Sequence, residues 1–174
     1  MREKDALRLH YAAILSYTGV ILLISGLAML APLLVLVMDH EGTVHAPAFV
    51  LPSLCLTLLG LLLWWLFRSA SRTTTLSTQE GGIIVLLSWL VVILFSAWPF
   101  VSLCGLTFSR ALFESVSGWT TTGLSVVDLS KTVPVILFWR SEIQLLGGAG
   151  LAIIMMSAIV APTGTGISSA EGRS

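Results

Sequence analysis

The most distinctive chemistry in the chain lies in Thr120-Thr121-Thr122-Gly123-Leu124-Ser125. Three β-branched hydroxyl residues and a glycine suit extended or irregular backbone better than helix. The residues just before them, Phe108–Trp119, read instead as a short, mostly apolar helix. Such a helix rises only about 18 Å, too little to cross a bilayer, so within a membrane it would dip in and return. Irregular backbone at membrane depth survives only where protein or a water-filled cavity satisfies its polar groups. An extended Thr/Gly segment behind a half-spanning helix can turn its carbonyls into a pore and replace an ion's hydration shell. Gly123 permits backbone angles that a side chain would forbid. The short helix would aim the negative end of its dipole at the cation. Thr73-Thr74-Thr75 serves as an internal control. That triplet sits beside Arg72 with no short helix before it and no glycine directly after it, and it reads as a solvated linker.

Fewer residues support this segment than surround it. Glu114, within the short helix, can add negative potential or brace the loop through hydrogen bonds, and bracing is the favoured reading. Arg110, four positions earlier on the same helical face, offers a purely structural partner. Arg140, Glu142 and Gln144 open the next helix. They form either an interfacial charged turn with a snorkelling arginine or a set of hydrogen-bonding groups behind the loop. Gly147, Gly148 and Gly150 let a neighbouring backbone approach, as small residues do at membrane helix interfaces. Asp128 could concentrate cations at the mouth, although a solvated loop acid is the plainer reading. His10, His40 and His45 are scattered, and Cys55 and Cys104 match no metal spacing or disulfide framework.

These residues need a membrane scaffold, and the composition supplies one. Of 174 residues, 56% are hydrophobic and only 10% charged, with a mean hydropathy of +0.96; a soluble domain carries roughly a quarter charged residues. Nine basic and nine acidic residues cancel, so no net field attracts nucleic acid or an acidic substrate. Tyr11–Met38, Ala46–Phe67 and Gly81–Ser109 contain no charged residue, and each is long enough to span. Helix one is expected over Tyr11–Met38, helix two over Pro47–Phe67, and helix three from a Ser77/Glu80 capping box to Cys104. A fourth span is expected over 134–161, interrupted by Arg140 and Glu142.

The fold class expected is therefore all-α integral membrane: four transmembrane helices plus one re-entrant pore helix and a selectivity-filter loop. Met1–His10 mixes charge signs, and the first apolar run is too long for a cleavable signal. With the N-terminus inside, Arg2, Lys4, Arg8, Arg68, Arg72 and Arg173 lie on the cytoplasmic side, against Arg110, Lys131 and Arg140 outside. Both termini are then cytoplasmic. Trp64 and Trp65 fall near the inner boundary, and Trp98 and Trp139 near the outer one, either as an aromatic belt or packed between helices.

The run Phe113-Glu114-Ser115-Val116-Ser117-Gly118-Trp119 followed by Thr120-Thr121-Thr122-Gly123-Leu124-Ser125 closely resembles the first pore loop of the Trk/Ktr/HKT cation-transporter superfamily, specifically its TrkH-type subunits. Arg140, Gln144 and Leu146-Gly147-Gly148-Ala149-Gly150 resemble the start of the helix after that loop. Ala170-Glu171-Gly172-Arg173 is similar to the segment before the family's second repeat. The resemblance implies potassium uptake across the cell (cytoplasmic) membrane through four helix–pore loop–helix repeats around one pore. It implies that Thr121, Thr122, Gly123 and Leu124 line the ion path with Thr120 at the inner end. Potassium is then held at Thr121, Thr122 and Gly123, supported by Glu114, Arg140 and Gln144. Gly123 matches the position at which family members favour potassium with glycine. The organisation implied is 1–78, a helix pair and linker; 79–161, the first repeat; and 162–174, a tail or the start of a linker to a second repeat.

Only one of the family's four pore loops is present. The chain reads as the N-terminal part of a longer protein, a split subunit or a truncated fragment. Expected partners are membrane lipid, the remaining pore repeats or further copies of this chain, and a cytoplasmic nucleotide-binding regulatory subunit of the Trk type. No cofactor is expected, the potassium ion being the substrate. No paired carboxylates, Cys/His or Ser/His constellation points to an enzyme. The competing reading is a non-conducting membrane assembly or accessory protein that keeps the pore-loop unit.

Overall fold

The computed structural model describes residues 3–38, 44–71, 76–128, 130 and 132–160. They form seven helices and, among the described residues, no strand: α1 (Glu3–Ala28), α2 (Pro32–Met38), α3 (Pro47–Ser71), α4 (Thr78–Ser96), α5 (Trp98–Cys104), α6 (Phe108–Trp119) and α7 (Pro134–Val160). The control triplet Thr73–Thr75 and the tail 162–174 lie outside the described residues, as does Lys131.

Three stretches are long and apolar enough to cross a membrane: Leu7–Met38, Pro47–Ala70 and Gln79–Cys104. They coincide with the first three expected spans. The fourth falls on α7, a helix of 27 residues.

Two expected helices are not continuous, and proline is the reason. A proline has no N–H and crowds the carbonyl four residues back, so it is tolerated best in a helix's first turn. Helix one stops at Ala28 and restarts at Pro32 as α2. Between them Leu30 and Ala31 donate three residues back, to Leu27 at 3.1 Å and Ala28 at 2.8 Å, a tight turn that keeps the backbone satisfied. Helix three breaks at Ala97, two residues before Pro99, giving α4 and α5. Gly105 then closes α5 in the left-handed conformation, at φ 63°, while Leu106 N donates to Phe100 O at 3.4 Å. Helix one also begins earlier than expected, at Glu3 rather than Tyr11, because good helix formers extend it beyond the apolar run.

The start of α4 is the capping box anticipated from Ser77 and Glu80. Ser77 N donates to Glu80 Oε2 at 2.7 Å, and Glu80 N donates to Ser77 Oγ at 3.3 Å. The other carboxylate oxygen of Glu80 meets His10 Nδ1 at 2.6 Å, joining α4 to α1.

α1 and α3 pack antiparallel at close range. A Cβ on Gly19 would lie 2.7 Å from the Gly60 carbonyl, and one on Gly60 would lie 2.6 Å from the Gly19 carbonyl. Two turns further along, Ser53 Oγ donates to Gly26 O at 2.6 Å. Such approach of bare backbones is how membrane helices associate without a hydrophobic drive. Leu22, Phe49, Leu56, Val92, Phe100, Ile136 and Ile143 form a buried core that links this pair to α4–α7.

Candidate functional site

α6 occupies the twelve residues expected, Phe108–Trp119. Ala111, Glu114, Ser115 and Gly118 are buried on one face, at the spacing of a helical stripe. That face packs on α4 and α7, where Ser115 Oγ donates to Ile93 O at 2.7 Å.

The chain leaves α6 through two left-handed residues, Thr121 at φ 55° and Gly123 at φ 78°. For glycine this conformation is free of strain, whereas a β-branched threonine adopts it only when its surroundings enforce it. The hydrogen bonds that do so all run back to the last turn of α6. Thr120 N donates to Val116 O at 2.9 Å, Thr121 N to Gly118 O at 3.0 Å, and Thr122 N to Ser117 O at 3.0 Å. Ser117 Oγ donates to Leu124 O at 2.7 Å. The Thr120 hydroxyl bonds Val116 O at 2.8 Å and lies 2.8 Å from the Thr122 hydroxyl.

The loop is therefore asymmetric. Its N–H groups are used internally, on the carbonyl end of a helix whose dipole is negative there. Among the described residues, no hydrogen bond goes to the carbonyls of Thr120, Thr121, Thr122 or Gly123. All five residues from Thr120 to Leu124 are exposed.

Glu114 braces this loop from behind. It is fully buried. Its Oε1 accepts from Ser125 Oγ at 2.7 Å, from Val127 N at 3.1 Å and from Val126 N. Its Oε2 lies 3.1 Å from Arg140 Nε. This is an ionic contact rather than an aligned hydrogen bond, since neither atom has a hydrogen-bond partner. Arg140 is itself buried. It belongs behind the loop and does not snorkel. Arg110 is exposed in the first turn of α6, so the nearby partner allowed by sequence spacing is not the one the structure uses.

Gln144 lies one turn beyond Arg140 on α7 and, among the described residues, hydrogen-bonds nothing in the loop. Gly147 has a sharper role, since a Cβ there would fall 2.0 Å from the Trp119 carbonyl oxygen. A Cβ on Gly148 would fall 3.3 Å from the Thr121 methyl. α7 can lie against the end of α6 only because these positions are bare.

Asp128 is bound locally. Its Oδ1 accepts from Ser130 N at 3.2 Å and Ser130 Oγ at 2.6 Å. It lines a cavity of about 230 Å³ with Cys104, Val126, Val127 and Thr132, beside the chain that leaves the loop. Of the boundary tryptophans, Trp65 and Trp98 are exposed, whereas Trp139 is buried in the core. Ser117 and Ser125 were not singled out by sequence reasoning. A serine near a turn carries no periodic signal that would mark it as a loop support.

Three helical stretches long and apolar enough to cross a bilayer define a multi-pass helical membrane protein. The chain belongs to the TrkH family, whose model, described as a cation transport protein, matches residues 45–171. The family is one of transporters, not enzymes. The Trk system potassium uptake protein TrkH of Escherichia coli K12 is 34% identical over 161 residues, which are 91% of this chain and 32% of that protein. TrkG of the same organism, also a Trk system potassium uptake protein, is 30% identical over 153 residues, 86% of this chain and 31% of its own length. An uncharacterized cation transporter of Methanocaldococcus jannaschii is 31% identical over 154 residues, 87% of this chain and 31% of its own. The chain thus spans about a third of the length of the curated relatives it matches.

Proposed function

We propose that this chain supplies one quarter of a potassium-uptake pore, with Thr120–Leu124 as one wall of its selectivity filter. α6 is then a re-entrant pore helix, α7 the fourth membrane span, and 79–161 the first of four repeats. Residues 1–78 form the preceding helix pair and linker, and 162–174 lead toward a second repeat. Potassium is held at Thr121, Thr122 and Gly123, while Glu114 and Arg140 brace the loop. Gln144, which makes no hydrogen bond to the loop among the described residues, is not part of that brace. The chain resides in the cytoplasmic membrane with both termini inside. Its companions are the remaining repeats, or further copies of the chain, and a nucleotide-binding regulatory subunit of the Trk type.

One observation carries this reading. The loop spends its donors on the end of α6 and, among the described residues, leaves the carbonyls of Thr120–Gly123 without donors, in residues that are all exposed. A dehydrated cation needs just such a row of oxygens, presented from several sides. Membership of a cation-transport family supports the same conclusion.

The test is made in cells whose growth depends on the assembled transporter. Gly123→Ser should lower the preference for potassium over sodium, and Gly123→Asp should damage uptake more severely. Gly81→Ser, at a position where a Cβ would meet nothing within 4 Å, should leave both unchanged. Wild-type growth and ion preference in both Gly123 variants would defeat the filter assignment and favour a non-conducting assembly role.

A further inference from the structure

Two indoles converge on one serine behind the loop. Ser96 is the last residue of α4 and is buried. Its hydroxyl accepts from Trp119 Nε1 at 3.0 Å, and its carbonyl accepts from Trp139 Nε1 at 3.3 Å. That carbonyl lies at the break between α4 and α5. α4 closes with Ala97 N donating to Ile93 O, and α5 opens with Val101 N donating to Ala97 O. The Ser96 carbonyl is left between the two ladders, and an indole N–H takes it.

The two tryptophans occupy consequential positions. Trp119 ends α6 and immediately precedes Thr120. Its carbonyl is pressed against Gly147, so the residue is held by its side chain on one side and its backbone on the other. Trp139 directly precedes Arg140, and its ring meets Phe49 of α3 edge-on at 5.9 Å. Ser96 is thus where α4, the end of α6 and the start of α7 are fastened together.

We infer that Ser96 is a positioning residue for ion discrimination: through Trp119 it fixes the rotation of the C-terminal end of α6, and so the placement of the Thr120–Gly123 carbonyls. It never touches the ion. The inference rests on the filter reading above. Its physical basis is geometric, because discrimination between cations depends on the number and placement of the coordinating oxygens. Losing the hydroxyl leaves a buried indole N–H without its partner, and the end of α6 turns to find another.

The experiment measures rubidium and sodium uptake by the assembled transporter in cells, alongside its abundance in the membrane. Ser96→Ala should reduce the preference for rubidium over sodium by about fivefold, the size of one neutral hydrogen bond, at unchanged abundance. Ser96→Thr keeps the hydroxyl and should restore it. Trp119→Phe keeps an aromatic ring, a smaller one, and loses the N–H, so it should reproduce the shift and add little when combined with Ser96→Ala. Ser88→Ala is the control. Ser88 is equally buried but donates only to Ile84 O of its own helix, at 2.7 Å.

If Ser96→Ala removes the protein from the membrane, Trp119→Phe carries the same expectation. A purely structural role would lower abundance and leave the ion preference of the surviving protein intact, which overturns the inference. Fully additive effects of Ser96→Ala and Trp119→Phe would overturn it too. Gly123→Ser, run in parallel, separates the two levels. A shift there without one at Ser96 sinks the positioning role alone, whereas no shift at Gly123 sinks the filter reading beneath it.

Discussion

Glu114→Gln isolates the charge behind the loop from the shape that carries it. Glutamine keeps an oxygen where Oε1 accepts from Ser125, Val126 and Val127. It removes the negative charge that faces Arg140 Nε at 3.1 Å. Arg140 is only 8% exposed and Glu114 is 0% exposed, so little water reaches the stranded guanidinium. Breaking a buried pair from one side costs about 3–5 kcal/mol, because the remaining charge is left uncompensated. Arg140→Met should cost a similar amount for the mirror-image reason. The double variant leaves no charge unpaired and should lie within roughly 1 kcal/mol of wild type. The coupling between the two sites is then at least about 5 kcal/mol. The assay is thermal and denaturant unfolding of the full chain in detergent, followed by tryptophan emission, to which Trp119 and Trp139 contribute from the same neighbourhood. A Glu114→Gln stability within roughly 0.5 kcal/mol of wild type, or strictly additive single and double variants, would refute the account of Glu114 as a charged brace.

Gly147→Ala drives a methyl against the Trp119 carbonyl and should sharply reduce uptake. Gly148→Ala, which asks only the Thr121 methyl to give way, should be milder, and an uptake assay that ranks them the other way contradicts the packing described. Gly60→Leu should separate α1 from α3, read as loss of a disulfide engineered between the two helices, because its Cβ has no room beside the Gly19 carbonyl. Ser77→Ala should cost about 1 kcal/mol by removing one half of the capping box, measured by unfolding in detergent. The chain expressed alone should reach the membrane yet fail to rescue growth of a potassium-uptake mutant on limiting potassium. Robust rescue would mean that copies of this chain close the pore unaided.

What the sequence disclosed and what it hid divide along physical lines. α6 was legible to the residue because two signals coincide at its end: the apolar stripe stops and a β-branched polar run begins. The capping box at Ser77 and Glu80 was legible because it is a contact between residues three apart. The breaks at Pro32 and Pro99 were obscured by hydrophobicity, since the apolar run continues straight through both. The Glu114 pair was hidden for a different reason. A sequence always offers a neighbour one helical turn away, here Arg110, whereas the partner actually used lies on α7 and is brought near only by the crossing of two helices. Ser96 was the hardest to find, because its role depends on a carbonyl at the break between α4 and α5 and on indoles from two other helices.

The distribution of unmet hydrogen-bonding capacity also bears on what the loop faces. A bare carbonyl in hydrocarbon is costly, and four in succession would not be tolerated against lipid. Around the loop the chain satisfies what it can reach. Glu114 takes the N–H groups of Val126 and Val127, the end of α6 takes those of Thr121 and Thr122, and Ser117 takes the carbonyl of Leu124. The accounting stops abruptly at the carbonyls of Thr120–Gly123. On the filter reading proposed above, these are the oxygens that would meet a cation. Protein donors from another repeat could meet the same carbonyls, but they would displace the ion and close the path. On that reading a cation would meet them without doing so, favoured by the negative helix end placed behind the loop.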